Sequence, residues 1–174
     1  KPLGSGVLFN AVRSGKFPYP DLEREVLPSL AALNGPAMAT ALNFELHACT
    51  DITGFGILGH LLEMAMGSAT SFHVRYADLP FYNGAREMYQ RGESTGSNKP
   101  NRALVARHPL VMRAALGRAA EELLYDPQTS GGLVLAVPQQ QAAELVAVLH
   151  RAGVAAAVRI GSVGEGPAGL VVEG

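Results

Sequence analysis

One passage limits what this chain can fold into more than any other: Cys49-Thr50-Asp51-Ile52-Thr53-Gly54-Phe55-Gly56-Ile57-Leu58-Gly59-His60-Leu61-Leu62-Glu63-Met64-Ala65. It reads as a short extended run with a lone carboxylate, then a glycine-spaced turn, then a helix. Asp51 and Thr53 are both good helix N-caps, which predicts a start near Gly54. Phe55, Leu58, Leu62 and Ala65 recur at helical spacing, and Leu61 and Met64 widen the apolar stripe. The helix is expected over 54–66, with Gly67 as its stop signal. Glycines inside a helix cost roughly 1 kcal/mol each against alanine, so three of them in the first turns imply a close approach to the backbone. A helix N-terminus presents free N–H groups suited to phosphate, and an aspartate just upstream suits a hard cation. The residues leave two roles open for Asp51, helix cap and metal ligand.

Composition excludes several classes. The chain has 174 residues, 48% hydrophobic and 17% charged, with a net charge of -1. That is one domain of ordinary size, or a large piece of a bigger protein, with ample core material. No basic excess points to nucleic acid, and no Trp and few aromatics argue against base-stacking surfaces. No apolar run reaches the roughly 20 residues needed to span a membrane. Cys49 is the only cysteine, so neither an internal disulfide nor a cysteine zinc site can form. It reads as a small buried apolar residue, not a nucleophile, because neighbouring Asp51 would raise its thiol pKa. A lone thiol and no signal peptide favour a reducing cytoplasm.

Along the chain, residues 3–11 read as a strand interrupted by glycines. Asp21 caps a helix carrying Leu22, Val26, Leu27, Leu30 and Leu33, with a kink or break expected at Pro28. Residues 37–46 look helical and 47–51 extended. Phe72, Val74 and Tyr76 alternate with His73 and Arg75 as a half-buried strand; His73 reads as a surface residue. Asn83 caps a further helix. Residues 92–102 form a polar surface loop, and two helical pieces flank the turn at His108-Pro109. Asp126-Pro127 opens a tight turn through Thr129-Ser130-Gly131-Gly132. A buried strand at 133–137, a helix at 139–151 and strands at 155–163 and 170–172 complete the chain. Gly54-x-Gly56-x-x-Gly59 matches dinucleotide-loop spacing, but the surrounding βαβ context is missing. The content is α/β, with a mixed or antiparallel sheet and packed helices.

Three stretches together resemble the selenophosphate synthetase (selenide, water dikinase) family. They are Lys1-Pro2-Leu3-Gly4-Ser5-Gly6, Thr50-Asp51-Ile52-Thr53-Gly54-Phe55-Gly56-Ile57-Leu58-Gly59-His60 and Asp126-Pro127-Gln128-Thr129-Ser130-Gly131-Gly132. They occur in the family's order and near its spacing. The resemblance spans residues 1–174 as a single domain, the C-terminal one of a two-domain enzyme. It implies an α+β fold like the C-terminal domain of the aminoimidazole ribonucleotide synthetase superfamily. The chain opens without an initiator Met, which agrees with a missing N-terminal domain. That domain would carry the nucleophile, the nucleotide loop and most metal-binding aspartates.

The implied reaction takes ATP, selenide and water to selenophosphate, phosphate and AMP. Asp51 matches the family's magnesium-binding aspartate, so the resemblance makes it one ligand of Mg2+ at the ATP phosphates. No catalytic residue and no other ligand carries over. The implied partners are the chain's own N-terminal domain, ATP, selenide and a second copy in a cytoplasmic homodimer. Nucleic acid and membrane are not among them. The isolated chain is expected to be inactive. A structural or dimerisation domain and a related ATP-dependent enzyme of the same superfamily are the alternatives.

The other polar residues have bland readings. Asp126 reads as a turn residue. Residues 129–132 are either a structural turn or the lining of a phosphate or selenide path. Asn101 and Arg102 are expected in a mobile loop, with Arg102 solvated or meeting phosphate. His60 and Glu63, one helical turn apart, read as a polar stripe or an interdomain contact.

Overall fold

A computed structural model describes all residues, 1–174. It is α+β, with a mixed four-stranded sheet, a separate two-stranded ribbon and flanking helices. The four-stranded sheet has the order β3 (Leu110–Met112), β6 (Gly169–Glu173), β2 (Ser71–Arg75), β5 (Gly161–Gly164). β6 runs parallel to both β3 and β2, while β5 is antiparallel to β2. The ribbon pairs β1 (Ala48–Asp51) antiparallel with β4 (Leu133–Ala136), so that Asp51 faces Leu133.

The opening passage becomes β1 followed by helix α5 (Gly56–Ser68). Every residue from Gly56 to Leu62 is buried. A helix apolar on all sides belongs inside a core, and α5 lies between the sheet and helices α7 (Asn98–Val105) and α8 (Arg118–Leu124). Ile57, Leu58, Leu61 and Leu62 pack there with Phe72, Val74, Leu170 and Val172. A fully buried leucine or valine is worth about 1.5–3 kcal/mol, so this cluster holds α5 to the sheet. A second core joins α1 (Ser5–Arg13) to α6 (Ala85–Gln90) and α8 through Val7, Leu8, Met88 and Leu123. A third, smaller one lies between α4 (Gly35–Ala41) and α9 (Gln139–Arg151).

Several expectations change. Residues 3–11 are not a strand: Leu3 makes only one bridge, to Phe81, and α1 begins at Ser5. Around Pro28, the chain continues as α2 (Tyr19–Asp21), a π-helical segment (Leu22–Val26) and α3 (Leu27–Ala31). There Leu27 N–H donates to the Leu22 carbonyl, five residues back. The helix thus accommodates the proline, which has no N–H of its own, by widening one turn.

α5 passes through Gly67 and stops where Ala69 adopts φ 52°. Neither Asp51 nor Thr53 caps it: the N-cap position is Phe55, and no side chain caps there. α6 starts after Gly84 instead of Asn83. The polar passage 92–102 already contains the first turn of α7, with Glu93, Asn98 and Asn101 buried. β4 is half-buried, because its sheet has only two strands. No helix is long and apolar enough to cross a membrane.

Candidate functional site

The three stretches singled out in the sequence meet in one hydrogen-bonded junction. Gln128 is its centre. Its side-chain Oε1 accepts from Gly4 N (3.1 Å), Ser5 N (3.2 Å) and Ser5 Oγ (3.1 Å). Its Nε2 donates to the Asp126 carbonyl and to Asp126 Oδ2, both at 2.8 Å. Its backbone N–H donates to the Thr53 carbonyl (3.0 Å). One residue therefore ties the start of the chain to the loop that follows Asp51.

Asp126 is fully buried. Its carboxylate accepts from Gly6 N (3.0 Å) and Val7 N (2.9 Å), two of the N–H groups that the first turn of α1 leaves free. The hydroxyl of Tyr89 donates to Oδ1 at 2.6 Å. α1 has no cap from its own sequence; this carboxylate supplies one from 120 residues away. Asp126 is thus more than a turn residue. Burial pushes its pKa up to about 6, against the pull of the Tyr89, Gln128, Gly6 and Val7 donors. Burial and the adjoining Asp126 likewise raise Tyr89.

Two glycines permit the junction to close. Gly56 has φ 72°, and a Cβ there would meet the Tyr125 backbone at 2.9 Å. A Cβ on Gly131 would overlap the Ile52 carbonyl. Ile52 N–H donates to the Gly132 carbonyl (2.8 Å), extending the ribbon past Asp51. Asn101 Nδ2 donates to the carbonyls of Gly54 and Tyr125, both at 2.9 Å. Asn101 is therefore a buried strut and not a mobile loop residue. Arg102 pairs with Glu121 and Glu122 at 3.2 Å and lies over the Tyr125 ring, 4.4 Å from its centroid. Those partners occupy its guanidinium.

Asp51 stands apart from this network. It ends β1, is exposed, and its carboxylate takes no hydrogen bond or ion pair within the chain. Cys49 lies on the same face of β1, two residues before it, and is exposed instead of buried. Partial burial, then Asp51, raises the Cys49 thiol pKa. A single exposed carboxylate fits one oxygen ligand of a hard cation. The chain has no group of three or more His, Cys, Asp or Glu that could hold a metal ion. Two open surface grooves of about 530 and 440 Å³ do not include Asp51.

His60 is not part of an exposed stripe: it is 6% exposed and accepts a hydrogen bond from Thr53 N at 3.0 Å. His73 is half-buried on β2, an inner strand flanked by β6 and β5, with Glu173 Oε1 3.3 Å away. Thr129 and Ser130 are exposed, while Gly131 and Gly132 are buried. Ser130 donates to the Leu30 carbonyl and accepts from Lys1 Nζ at its own carbonyl, which gives the segment a structural role. Sequence reasoning missed Gln128, Tyr89 and Asn98 as buried polar anchors. The compact Asp-Pro-Gln run was the available signal for Gln128; for Tyr89 and Asn98 no local pattern exists, because their partners lie on other elements.

Comparison with known proteins agrees with this architecture. The family model for AIR synthase related protein, C-terminal domain, matches residues 11–173. "Selenide, water dikinase" of Pelobacter propionicus is 40% identical over 172 residues, covering 99% of this chain and 49% of the relative. The protein of that name from Treponema denticola is 38% identical over 152 residues, 87% of this chain and 42% of the relative. The chain thus spans about half the length of these curated relatives. Among solved structures, the hydrogenase maturation protein HypE of E. coli has a TM-score of 0.67 at 19% identity, covering 99% of this chain and 44% of that one. Thiamine monophosphate kinase of Aquifex aeolicus has a TM-score of 0.59 at 16% identity, covering 99% and 48%. These two likenesses concern the fold.

Proposed function

The chain belongs to the family of AIR synthase related proteins, C-terminal domain, and on that premise we propose that it is the C-terminal domain of a selenide, water dikinase. The parent enzyme converts ATP, selenide and water into selenophosphate, phosphate and AMP. In this reading Asp51 contributes one oxygen to Mg2+ at the ATP phosphates, and a separate N-terminal domain supplies the nucleophile, the nucleotide loop and the remaining ligands. The parent is a cytoplasmic homodimer in the same reading, which draws on the lone free thiol and the family resemblance.

The observation that carries the proposal is the state of Asp51. Its carboxylate is exposed and without a partner, yet the backbone on its C-terminal side is held at Ile52 by Gly132 and at Thr53 by Gln128. Magnesium prefers an octahedron of oxygens and is commonly bound by one or two carboxylates plus substrate phosphates. When bound, it would neutralise phosphate charge during transfer, a reaction governed by positioning and electrostatics. The chain's own part is to present one carboxylate in a fixed place. The three converging stretches support the assignment to this family member over its superfamily relatives.

The test is selenide-dependent AMP formation from ATP by the two-domain protein that contains this chain. AMP release that rises with selenide supports the reading. ATP turnover indifferent to selenide would assign the chain to a different ATP-dependent enzyme of the superfamily.

A further inference from the structure

We infer that His60 is a positioning residue for Asp51, acting through Thr53. The inference rests on the reading of Asp51 as a magnesium ligand and adds a residue that this reading does not name. Four residues, Ile52 to Phe55, separate the end of β1 from the start of α5. Carbonyls of this connection have partners: Thr53 O accepts from Gln128 N and Gly56 N, and Gly54 O accepts from Asn101. The Thr53 N–H has one partner, His60 Nε2, at 3.0 Å. Thr53 Oγ1 lies 3.1 Å from the same nitrogen.

α5 has no side-chain cap at its N-cap position. His60, from the second turn of the helix, reaches back past the N-cap position and holds an N–H of the connection that leads into α5. The bond also fixes the tautomer. Nε2 must offer its lone pair to the Thr53 amide, so the ring proton sits on Nδ1. That nitrogen is buried without a hydrogen-bond partner, although Glu63 Oε2 is 3.3 Å away. The Phe55 ring, with its centroid 5.6 Å from that of His60, covers the imidazole. His60 is thus held in one orientation and spends its only acceptor on the residue two positions after Asp51. Outer partners bonded directly to a ligand affect metal affinity by about 10–100-fold; His60 acts through the backbone one step further out, so its effect belongs at the low end of that range.

The test uses the two-domain protein with Mg2+ titrated against a nonhydrolysable ATP analogue, for His60→Ala, His60→Asn, His60→Gln and Asp51→Asn. Glutamine can place an acceptor near the Nε2 position, whereas asparagine reaches only to the Nδ1 position. His60→Ala and His60→Asn are expected to weaken Mg2+ binding about tenfold, while His60→Gln stays within about threefold of the parent. Amide exchange of a peptide covering residues 52–55 should accelerate in the Ala and Asn variants and stay slow in the Gln variant. The inference is overturned if Asp51→Asn weakens Mg2+ binding and the His60 variants do not, or if all three His60 variants weaken it alike. If Asp51→Asn leaves Mg2+ binding unchanged, the metal-ligand reading itself fails, and the inference falls with it.

Discussion

Replacing Asp126 with alanine removes the remote cap of α1 and should reveal how this buried carboxylate is balanced. Four donors converge on it: Gly6 N, Val7 N, Gln128 Nε2 and the Tyr89 hydroxyl. In the variant the Tyr89 hydroxyl can turn to Asn98 Oδ1, which lies 2.9 Å away. Three donors lose this acceptor, Val7 N and one N–H of Gln128 Nε2 in the interior and Gly6 N partly buried, at about 2 kcal/mol each on average. Removing the carboxylate also relieves its burial. A pKa pushed up from 3.8 to about 6 means that the ionised form costs about 3 kcal/mol at pH 7. The net loss for Asp126→Ala at neutral pH is therefore about 3 kcal/mol.

The sign of the pH dependence follows from linkage. Between pH 4 and 6 the folded chain holds a proton on Asp126 that the unfolded chain has lost, so this group's contribution to stability falls as pH rises through that window. Asp126→Ala removes that contribution, and its penalty should grow toward about 6 kcal/mol at pH 4. Urea unfolding of both chains at pH 4, 5, 6 and 7, with the m-value compared, measures this. A penalty that shrinks as pH falls would refute the reasoning; it would mean that the four donors outweigh burial and hold the group in its ordinary range or below.

Gly131→Ala should destabilise the chain by about 2–4 kcal/mol, since the added methyl overlaps the Ile52 carbonyl; an unchanged urea midpoint would contradict the close approach. Exposed Cys49 should react with a maleimide in the native chain without denaturant, and more slowly than a free thiol because its pKa is raised. Labelling only after unfolding would contradict its exposure.

Much of the fold is legible locally. The alternation of Phe72 and Val74 marks β2, the apolar run after Gly56 marks α5, and the face of Leu145 and Leu149 marks α9. What escapes local reading depends on contacts distant in sequence. α1 looks like a glycine-broken strand because its cap lies on Asp126 and Gln128, on the far side of the chain. Asn98, Asn101 and Glu93 look like loop residues because polarity alone does not reveal partners on distant elements such as Glu122, Tyr125 and Lys16. Cys49 looks buried because its residue type usually is, but the ribbon has only two strands and leaves that face open. At Asp51 the sequence leaves cap and ligand open, and the start of α5 at Gly56 removes the cap.

The most direct measurement is Mg2+ binding in the presence of a nonhydrolysable ATP analogue, compared between the two-domain protein, its Asp51→Asn variant and the 174-residue chain alone. The account predicts saturable binding by the parent, at least about tenfold weaker binding by the variant, and no nucleotide-dependent Mg2+ binding by the isolated chain. Equal Mg2+ affinity for parent and variant would contradict it, as would a complete site on the isolated chain.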